Sequence, residues 1–295
     1  MRIPQPFPYQ GSKRKIAHEI VALLPNHPAR LIEPFVGSGA VSLRAAASGK
    51  AEQFVFNDIN APLIALWERI VNAPDEIADQ YAALWHRQLG QEKAFYFQVR
   101  DHFNQTYRPD YLLYLLARCV KAAVRYNANG EFNQSADNRR KGMQPDRMRQ
   151  NIRHTARLLK NRVSFYAVDY REILAQTHPT DVVYMDPPYQ GVNQQDPRYV
   201  QRLALEELSA ALQDLNARNV PFMVSYDGRT GKKVHGQLLP ESLNLTRIEI
   251  NAGRSSQATL LGRSSTTFES LYLSANLSAH LKNRLQPVLQ LSLWT

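Results

Sequence analysis

The residues best suited to chemistry are the tetrad Asp186-Pro187-Pro188-Tyr189, which follows the apolar run Asp181–Met185. That run predicts a buried strand, so Asp186 should lie at its carboxyl end, where open α/β sheets bind ligands. Consecutive prolines lack N–H groups and fix φ, which excludes a helix and continued sheet pairing. The segment therefore offers a carboxylate, a carbonyl acceptor and an aromatic face to a planar amino compound such as a nucleobase. A surface turn fits the isolated tetrad equally well.

A glycine-containing turn earlier in the chain is suited to bind a nucleoside. The apolar stretch at residues 30–36 predicts a strand, which runs through Gly37 and Gly39 into an Ala- and Leu-rich helix ending near Ala47. Glycine is needed where backbone approaches a ligand closely or adopts a positive φ. Asp58 ends the next apolar run, where such folds bind ribose hydroxyls. The phosphate-cradling Gly-x-x-x-x-Gly-Lys pattern is absent, and Ser42 stands in place of the third glycine of a dinucleotide fingerprint, so a mononucleoside fits better than ATP or NAD.

Two further segments carry polar groups that could bind a ligand. The loop Tyr9–Lys15 combines small and basic residues ahead of a helix expected at Ile16–Leu24. Its N–H groups and lysines could wrap an anionic or carboxylate-bearing ligand, although a solvated basic tail fits as well. Asp169 ends the apolar run Val163–Val168, so we expect a second acidic side chain at a strand's carboxyl end.

The composition is that of a globular protein with a basic surface. The 295 residues carry 36 Lys and Arg against 26 Asp and Glu, which gives a net charge of +10 and favours a polyanionic partner. The single cysteine, Cys119, excludes an internal disulfide and a thiolate metal cluster. We expect no membrane span and, because no signal-type apolar core follows Met1–Pro4, a cytoplasmic location.

The expected element pattern is a sheet domain with an inserted module. β–α units occupy both ends of the chain, and a helical segment without strand-like alternation separates them. We predict a first part of the sheet domain at residues 1–72, the insert at 73–152 and a second part at 153–295. Helices are expected at Leu63–Asn72, Ile77–Leu89, Lys93–Thr106, Asp110–Val124, Arg171–Gln176 and Leu203–Asn216, strands at Pro221–Tyr226, Asn244–Ile250 and Thr267–Ser274, and a loop at Asp227–Gly231.

The end of the insert has the features of a nucleic-acid contact. Asn129-Gly130 between short runs predicts a β-hairpin that carries Arg125, Asn127 and Asn133. Basic and amide side chains on a hairpin can contact base edges in a DNA groove, while neighbouring basic residues bind phosphates. We therefore favour a DNA-binding surface over a basic surface that contacts only solvent. The basic residues that follow, opposed in the local sequence only by Asp137 and Asp146, are Arg139, Arg140, Lys141, Arg147, Arg149, Arg153 and Arg157.

Together these motifs resemble the DNA adenine-N6 methyltransferases of the Dam-like D12 class. The order of Lys13, the Phe35-x-Gly37-x-Gly39 turn, a recognition insert and the Asp-Pro-Pro-Tyr tetrad matches the α group of that family over nearly the whole chain. The resemblance implies a Rossmann-like α/β fold that uses S-adenosyl-L-methionine, with an inserted, mainly helical DNA-recognition domain. It also implies Arg125, Asn127 and Asn133 as DNA-binding residues, and the basic charge of the stretch that follows adds Arg139, Arg140 and Lys141.

The resemblance further implies the residues that bind the cofactor. Phe35, Gly37 and Gly39 should pass beneath it, and Tyr9 and Lys13 should border its methionine end. By similarity, Asp58 binds the ribose hydroxyls, with Ile59 and Asp169 near the adenine ring. Asp186 should lie close to both the cofactor and the target base.

The chemistry of the tetrad agrees with this implication. The exocyclic nitrogen of adenine is a poor nucleophile because its lone pair is delocalised into the ring. If Asp186 and the carbonyl of Pro187 each accept a hydrogen bond from one of its N–H groups, the lone pair of the nitrogen can face the sulfonium methyl. Direct transfer of the methyl group then requires only the orientation of the two reactants and the desolvation of the charged donor. Pro188 keeps the segment extended, and Tyr189 supplies a stacking face for the flipped base. This route needs no metal and no nucleophilic cysteine.

Some positions depart from the family, and several alternatives stay open. Family members that recognise GATC usually have Lys where this chain has Pro8 and Tyr-Asn where it has Val120-Lys121, whereas the counterpart of Arg125 contacts guanine. We therefore expect a site with guanine beside the methylated adenine, not necessarily GATC. The alternatives are N4-cytosine methylation, a catalytically silent DNA-binding module and, less favoured, an RNA substrate. The sequence is compatible with a partner restriction endonuclease and with a monomer or weak dimer.

Overall fold

The computed structural model describes residues 3–188, 204–231, 233–254, 266–279 and 281. Within these ranges the strands are β1 (Leu31–Glu33), β2 (Phe54–Asn57), β3 (Val163–Tyr166), β4 (Val182–Met185), β5 (Phe222–Thr230), β6 (Lys233–His235), β7 (Thr246–Arg254) and β8 (Thr266–Leu273). The helices are α1 (Ala17–Ala22), α2 (Ala40–Ala47), α3 (Ala61–Asn72), α4 (Pro74–Arg87), α5 (Glu92–Thr106), α6 (Pro109–Arg118), α7 (Pro145–Leu159), α8 (Tyr170–Ala175) and α9 (Leu205–Ala217).

The described strands form one mostly parallel sheet in the order β3-β2-β1-β4-β5-β8-β7, with the short β6 paired to β5. Strands β1 to β5 run parallel to their neighbours along this path, and β8 and β7 add an antiparallel edge. The strand order reverses at β1, which has β2 on one side and β4 on the other. A crevice at such a reversal is where open α/β sheets bind ligands.

Alternating side chains divide the core into two layers. Phe54 and Phe56 of β2 face a cluster that includes α1, α2 and α3, whereas Val55 faces a second cluster that includes α8 and α9. Successive residues of a strand point to opposite faces, so helices on both sides make strands such as β4 apolar throughout. The predicted Rossmann-like α/β fold with helices around a central sheet is confirmed.

The helical insert is built around α6. Residues Leu112–Leu116 are all fully buried, and α6 packs against α3, α4 and α5. The apolar side chains of these helices belong to the same cluster as one face of the sheet. The insert therefore shares its hydrophobic core with the sheet domain.

Two expected elements differ from the structure. The helix expected at Asp110–Val124 ends at Arg118, because Lys121 and Ala122 have φ values of 59° and 52° and Cys119 is extended. The loop expected at Asp227–Gly231 is wrong, since β5 continues to Thr230 past an irregularity between Ser225 and Gly228 and pairs with β8.

Helix α7, which was not predicted, buries Met148, Ile152 and Leu159 on one face. The proposed domain division at residues 152 and 153 falls inside α7. Because domain boundaries usually lie in exposed linkers, we place this boundary at an end of the helix as a proposal. Across the described ranges, no helix combines the length and apolarity needed to cross a membrane.

Candidate active site

A cavity of about 600 Å³ opens at the carboxyl edge of the sheet, beside the reversal at β1. The N-terminal loop, the ends of β1, β2 and β4 and the start of α8 surround it. The residues predicted from the sequence that line it are Tyr9, Lys13, Phe35, Gly37, Asp58, Ile59, Asp169, Asp186, Pro187 and Pro188. The structure thus brings together side chains that are up to 179 positions apart in sequence, as for Tyr9 and Pro188. Tyr189 lies outside the described residues.

The glycine turn is held in place by Trp67 of α3. Gly37 and Gly39 have positive φ values of 44° and 57°, and the indole Nε1 of Trp67 donates a hydrogen bond of 3.0 Å to the Gly37 carbonyl. A Cβ on Gly39 would lie 2.9 Å from Cζ2 of Trp67. Gly39 does not line the cavity but begins α2 behind the turn. The turn therefore requires glycine at both positions, since Gly37 faces the cavity and Gly39 faces the core.

Asp58, directly after β2, is oriented by two backbone donors. Its Oδ2 accepts the N–H of Gly37 at 3.2 Å and its Oδ1 accepts the N–H of Asn60 at 3.0 Å. Burial raises the pKa of Asp58 to about 6, although these two hydrogen bonds oppose the shift. Each carboxylate oxygen retains a lone pair for a further donor, such as a hydroxyl group. Ile59 beside it is 40% exposed and offers an apolar face.

Asp186 of the tetrad forms an ion pair with Lys13 of the N-terminal loop. The Nζ atom of Lys13 lies 2.7 Å from Oδ1 of Asp186 and 3.5 Å from Oε2 of Glu269 in β8. Lys13 is 6% exposed and also donates to the Gly11 carbonyl at 3.3 Å. This buried ammonium group fixes the direction of the Asp186 carboxylate at the end of β4.

Two acidic residues of the site were not predicted from the sequence. Glu33 lines the cavity, is 3% exposed and accepts the N–H of Ser42 at 2.8 Å. Burial raises the pKa of Glu33 to about 7, and the nearby charge of Asp186 adds to the shift. An acidic residue inside the apolar stretch at residues 30–36 was a usable signal in the sequence. Burial also raises the pKa of Glu269, whose approach to Lys13 had no local signal in the sequence.

The two remaining predicted cofactor residues have local partners. The ring of Phe35 packs against that of Tyr170, with centroids 5.1 Å apart. Asp169 caps α8 by accepting the backbone N–H of Arg171 at 2.9 Å, and it also forms a salt bridge of 2.8 Å with the Arg171 side chain. The hydrogen bond from that side chain lowers the pKa of Asp169. Asp169 therefore lines the cavity while its carboxylate stabilises the start of a helix.

The predicted hairpin is short and closed by one of its own side chains. Tyr126 and Phe132 form a single antiparallel bridge. Oδ1 of Asn127 accepts N–H bonds from Asn129 and Glu131 at 3.0 and 2.9 Å, and its Nδ2 donates to Glu131. The side chain of Asn127 thus maintains the turn and has little capacity left for a base.

Arg125 and Asn133 lie opposite each other at the base of the hairpin. The backbone N–H of Asn133 donates to the carbonyl of Arg125 at 2.9 Å. Nε of Arg125 and Oδ1 of Asn133 are buried atoms with no hydrogen-bond partner among the described residues. Unpaired buried polar atoms are costly, so the base of the hairpin holds two unsatisfied polar groups.

The basic residues after the hairpin are ion-paired to a larger extent than predicted. Arg139 and Arg140, exposed by 82% and 66%, pair with Asp137 at 3.4 and 2.6 Å. Asp137 and Asp146 are the acidic residues nearby in the sequence, and acidic residues of other helices add to them. These additional pairs are Lys141 with Glu92, Arg149 with Asp79 and Arg153 with Asp75. Surface pairs are weak, so phosphates can replace the carboxylates.

Residues 9–280 match the family model described as D12 class N6 adenine-specific DNA methyltransferase. The chain is 28% identical over 201 residues to the type II methyltransferase M.MjaIII of Methanocaldococcus jannaschii, which covers 63% of this chain and 68% of that protein. It is 30% identical over 185 residues to the DNA adenine methylase of Escherichia coli K12, covering 61% of this chain and 63% of that protein.

A third relative, the retron Ec67 DNA adenine methylase of Escherichia coli, is 30% identical over 189 residues, which is 62% of each chain. The chain thus spans about two thirds of the length of these relatives. The family match, in contrast, extends from the N-terminal loop through the cavity and the insert to the last described strands. The protein therefore belongs to the D12 class of N6-adenine-specific DNA methyltransferases.

Proposed function

We propose that this protein transfers a methyl group from S-adenosyl-L-methionine to the N6 amino group of an adenine flipped out of double-stranded DNA. The observation that carries the proposal is the position of Asp186, whose carboxylate is fixed by Lys13 at 2.7 Å within the cavity that Asp58 and the glycine turn also line. Membership of the D12 class supports the choice of adenine.

The cavity has features that fit this cofactor. Its volume of about 600 Å³ is within the usual range for a ligand of this size. Asp58 can accept the ribose hydroxyls, Ile59 can cover the adenine, and Gly37 lets the ligand approach the backbone. When bound, the cofactor supplies a methyl group activated by a positively charged sulfur. The carboxylates of Asp186 and Glu33 give the cavity an acidic lining suited to that charge.

The tetrad orients the target nitrogen. Asp186 and the carbonyl of Pro187 accept the two amino hydrogens, so the lone pair of the nitrogen turns out of the ring plane. Pro187 and Pro188 keep this segment extended because neither can join a helix or a sheet ladder. Lys13 holds the carboxylate in the accepting orientation. Asp186 can then take the proton that the nitrogen must lose once it carries the methyl group.

The insert supplies the DNA-binding surface in this proposal. Arg125 and Asn133 lie opposite each other at the base of the hairpin, and their side-chain types are suited to base edges. The exposed Arg139, Arg140 and Lys141 are suited to phosphates. Asn127 contributes by maintaining the hairpin and not as a base reader.

The direct test incubates purified protein with duplex DNA and cofactor labelled in the methyl group, then digests the DNA and analyses the nucleosides by mass spectrometry. N6-methyladenine is the expected product, and the Asp186→Ala variant should form none. N4-methylcytosine would favour the alternative, because cytosine presents its amino group to the same acceptors. If no methyl group is transferred and Asp186→Ala binds DNA as well as the wild type, the protein is a silent DNA-binding module.

The sequence context of the methylated adenine is a separate proposal. Arg125 is suited to a guanine, so we propose that guanine flanks the target adenine. Methylome sequencing of a host that expresses the protein measures the context directly. A modified adenine that guanine never precedes would contradict this proposal.

We also propose that the protein acts in the cytoplasm, alone or with a cognate restriction endonuclease, as a monomer or weak dimer. Size-exclusion chromatography with and without DNA tests the oligomeric state. A nuclease gene adjacent to the coding sequence would support the partnership, and its protein should be blocked by the methylation this enzyme introduces.

A further inference from the structure

The DNA-recognition insert contacts the wall of the cofactor cavity at two points. The carbonyl of Ala122 accepts the backbone N–H of Gln10 at 3.0 Å, next to Tyr9 in the N-terminal loop. The hydroxyl of Tyr126 donates to Oδ1 of Asn60 at 3.1 Å, directly after Asp58 and Ile59. Tyr126 stands between Arg125 and Asn127 in the hairpin, so the second contact links the recognition element itself to the cavity.

Asn60 is also hydrogen-bonded to Asp58, whose carboxylate is expected to bind ribose. Its backbone N–H donates to Oδ1 of Asp58 at 3.0 Å, while Oδ2 of Asp58 accepts from Gly37 in the glycine turn. Asn60 is 7% exposed and begins helix α3, so its side chain has little freedom to find another partner. A continuous set of hydrogen bonds therefore joins Tyr126, Asn60, Asp58 and Gly37.

The tyrosine is held as a donor in this set. Its ring lies edge-on to that of Phe132, with centroids 5.9 Å apart, and Phe132 is fully buried. Burial raises the pKa of Tyr126, so the hydroxyl keeps its proton near neutral pH. The orientation of the hairpin thus decides whether the hydroxyl reaches Asn60.

We propose that Tyr126 is a positioning residue that couples DNA binding at the hairpin to the affinity of the cofactor cavity, acting through Asn60 on Asp58. This inference rests on the proposed function. When a cognate duplex engages Arg125, the hairpin is fixed and the bond to Asn60 is maintained, which orients Asp58. Coupling between two ligands is reciprocal, so the cofactor must strengthen DNA binding by the same factor. One neutral hydrogen bond corresponds to about a fivefold effect.

The test compares Tyr126→Phe with Tyr96→Phe as a matched control. Tyr96 is a buried tyrosine of the same insert, and its hydroxyl donates to the carbonyl of Gln134 at 2.8 Å without contacting the cavity. The dissociation constant of S-adenosylhomocysteine is measured by calorimetry with and without saturating duplex. The duplex contains the context found by methylome sequencing, or bulk genomic DNA if no methylation is detected.

The wild type and Tyr96→Phe should bind S-adenosylhomocysteine more tightly with DNA than without it. In Tyr126→Phe the ratio of the dissociation constants without and with DNA should fall about fivefold. The affinity for S-adenosylhomocysteine in the absence of DNA should be nearly unchanged. In turnover assays the variant should raise the KM for the cofactor and leave kcat close to the wild-type value. Asn60→Ala should lose the same gain, and the double variant should lose no more than either single variant.

An unchanged gain in Tyr126→Phe, an equal loss in Tyr96→Phe or no gain in the wild type would overturn the coupling. These outcomes are independent of the proposed function, which fails if the wild type forms no N6-methyladenine in DNA. A protein that methylates adenine without coupling refutes this inference alone. A protein that couples its two ligands without methylating refutes the proposed function alone.

Discussion

The Nζ atom of Lys13 lies 2.7 Å from Oδ1 of Asp186, so an ammonium group from the first loop orients the carboxylate that follows β4. A Lys13→Met variant keeps much of the side-chain volume but removes this charge. We expect a fall in the single-turnover rate of about 10²-fold, as for a reacting group displaced by about an ångström. Lys15→Met is the control, because Lys15 is exposed and stands two residues further along the same loop. Equal rates in the two variants would contradict this role.

The buried carboxyl group of Glu33 should make stability depend on pH. Its pKa is about 7 in the folded protein and 4.5 in the unfolded chain, so folding retains a proton between these values. The contribution of Glu33 to the free energy of unfolding therefore falls as pH rises from about 4.5 to 7, by at most about 3 kcal/mol.

The Glu33→Gln variant removes this titration but keeps an oxygen that can accept the N–H of Ser42. Its stability relative to the wild type should increase across the same pH interval, as measured by chemical denaturation at a series of pH values. Parallel profiles for the two proteins would show that Glu33 titrates normally.

Gly39→Ala should be more damaging than an alanine at another glycine of similar backbone conformation. The new Cβ would lie 2.9 Å from Cζ2 of Trp67, and φ is 57°. A Cβ on Gly49, where φ is 66°, would have no atom within 4 Å. Gly49→Ala therefore measures the backbone strain alone, which should lower the free energy of unfolding by about 1 kcal/mol. We expect Gly39→Ala to lose a further 1–3 kcal/mol, roughly, of unfolding free energy and to weaken cofactor binding. Equal thermal stability of the two variants would refute the contact with Trp67.

Arg125 and Arg139 should affect DNA binding in different ways. Arg125→Ala should cost about 1–3 kcal/mol and reduce the preference for one base pair, because it removes a proposed base contact. Arg139→Ala should weaken binding to all sequences similarly, as expected for a phosphate contact. It should also reduce the slope of the logarithm of the binding constant against the logarithm of salt concentration by about one. Titrations against a set of duplexes at several salt concentrations separate the two effects. The assignment is wrong if Arg139→Ala alters sequence preference more than Arg125→Ala.

The strand ends were predictable because their signals are local. Asp58 and Asp186 each follow an apolar run directly, and both line the same cavity. Glu269 could not be found in this way, since its approach to Lys13 arises from the antiparallel pairing of β8 with β5. The pairs of Arg149 with Asp79 and Arg153 with Asp75 join segments about seventy residues apart and leave no local pattern.

Helix α7 illustrates a signal that was present but not used. Met148, Ile152 and Leu159 recur at helical spacing, and Pro145 occupies the first turn. The arginines between them give the segment the composition of a charged surface, which masks this periodicity. In contrast, the end of α6 depends on the positive φ of Lys121 and Ala122, which neither residue type favours.

The shared core of the insert and the sheet has a consequence for protein engineering. Trp67 of α3, Tyr81 of α4 and Tyr114 of α6 are all fully buried in one cluster with Phe54 and Phe56 of the sheet. Excising the insert would expose large aromatic surfaces on both fragments. The insert therefore cannot be moved into another protein as an independent domain. New sequence specificity is therefore better sought by substitutions in the hairpin that leave the helices beneath it intact.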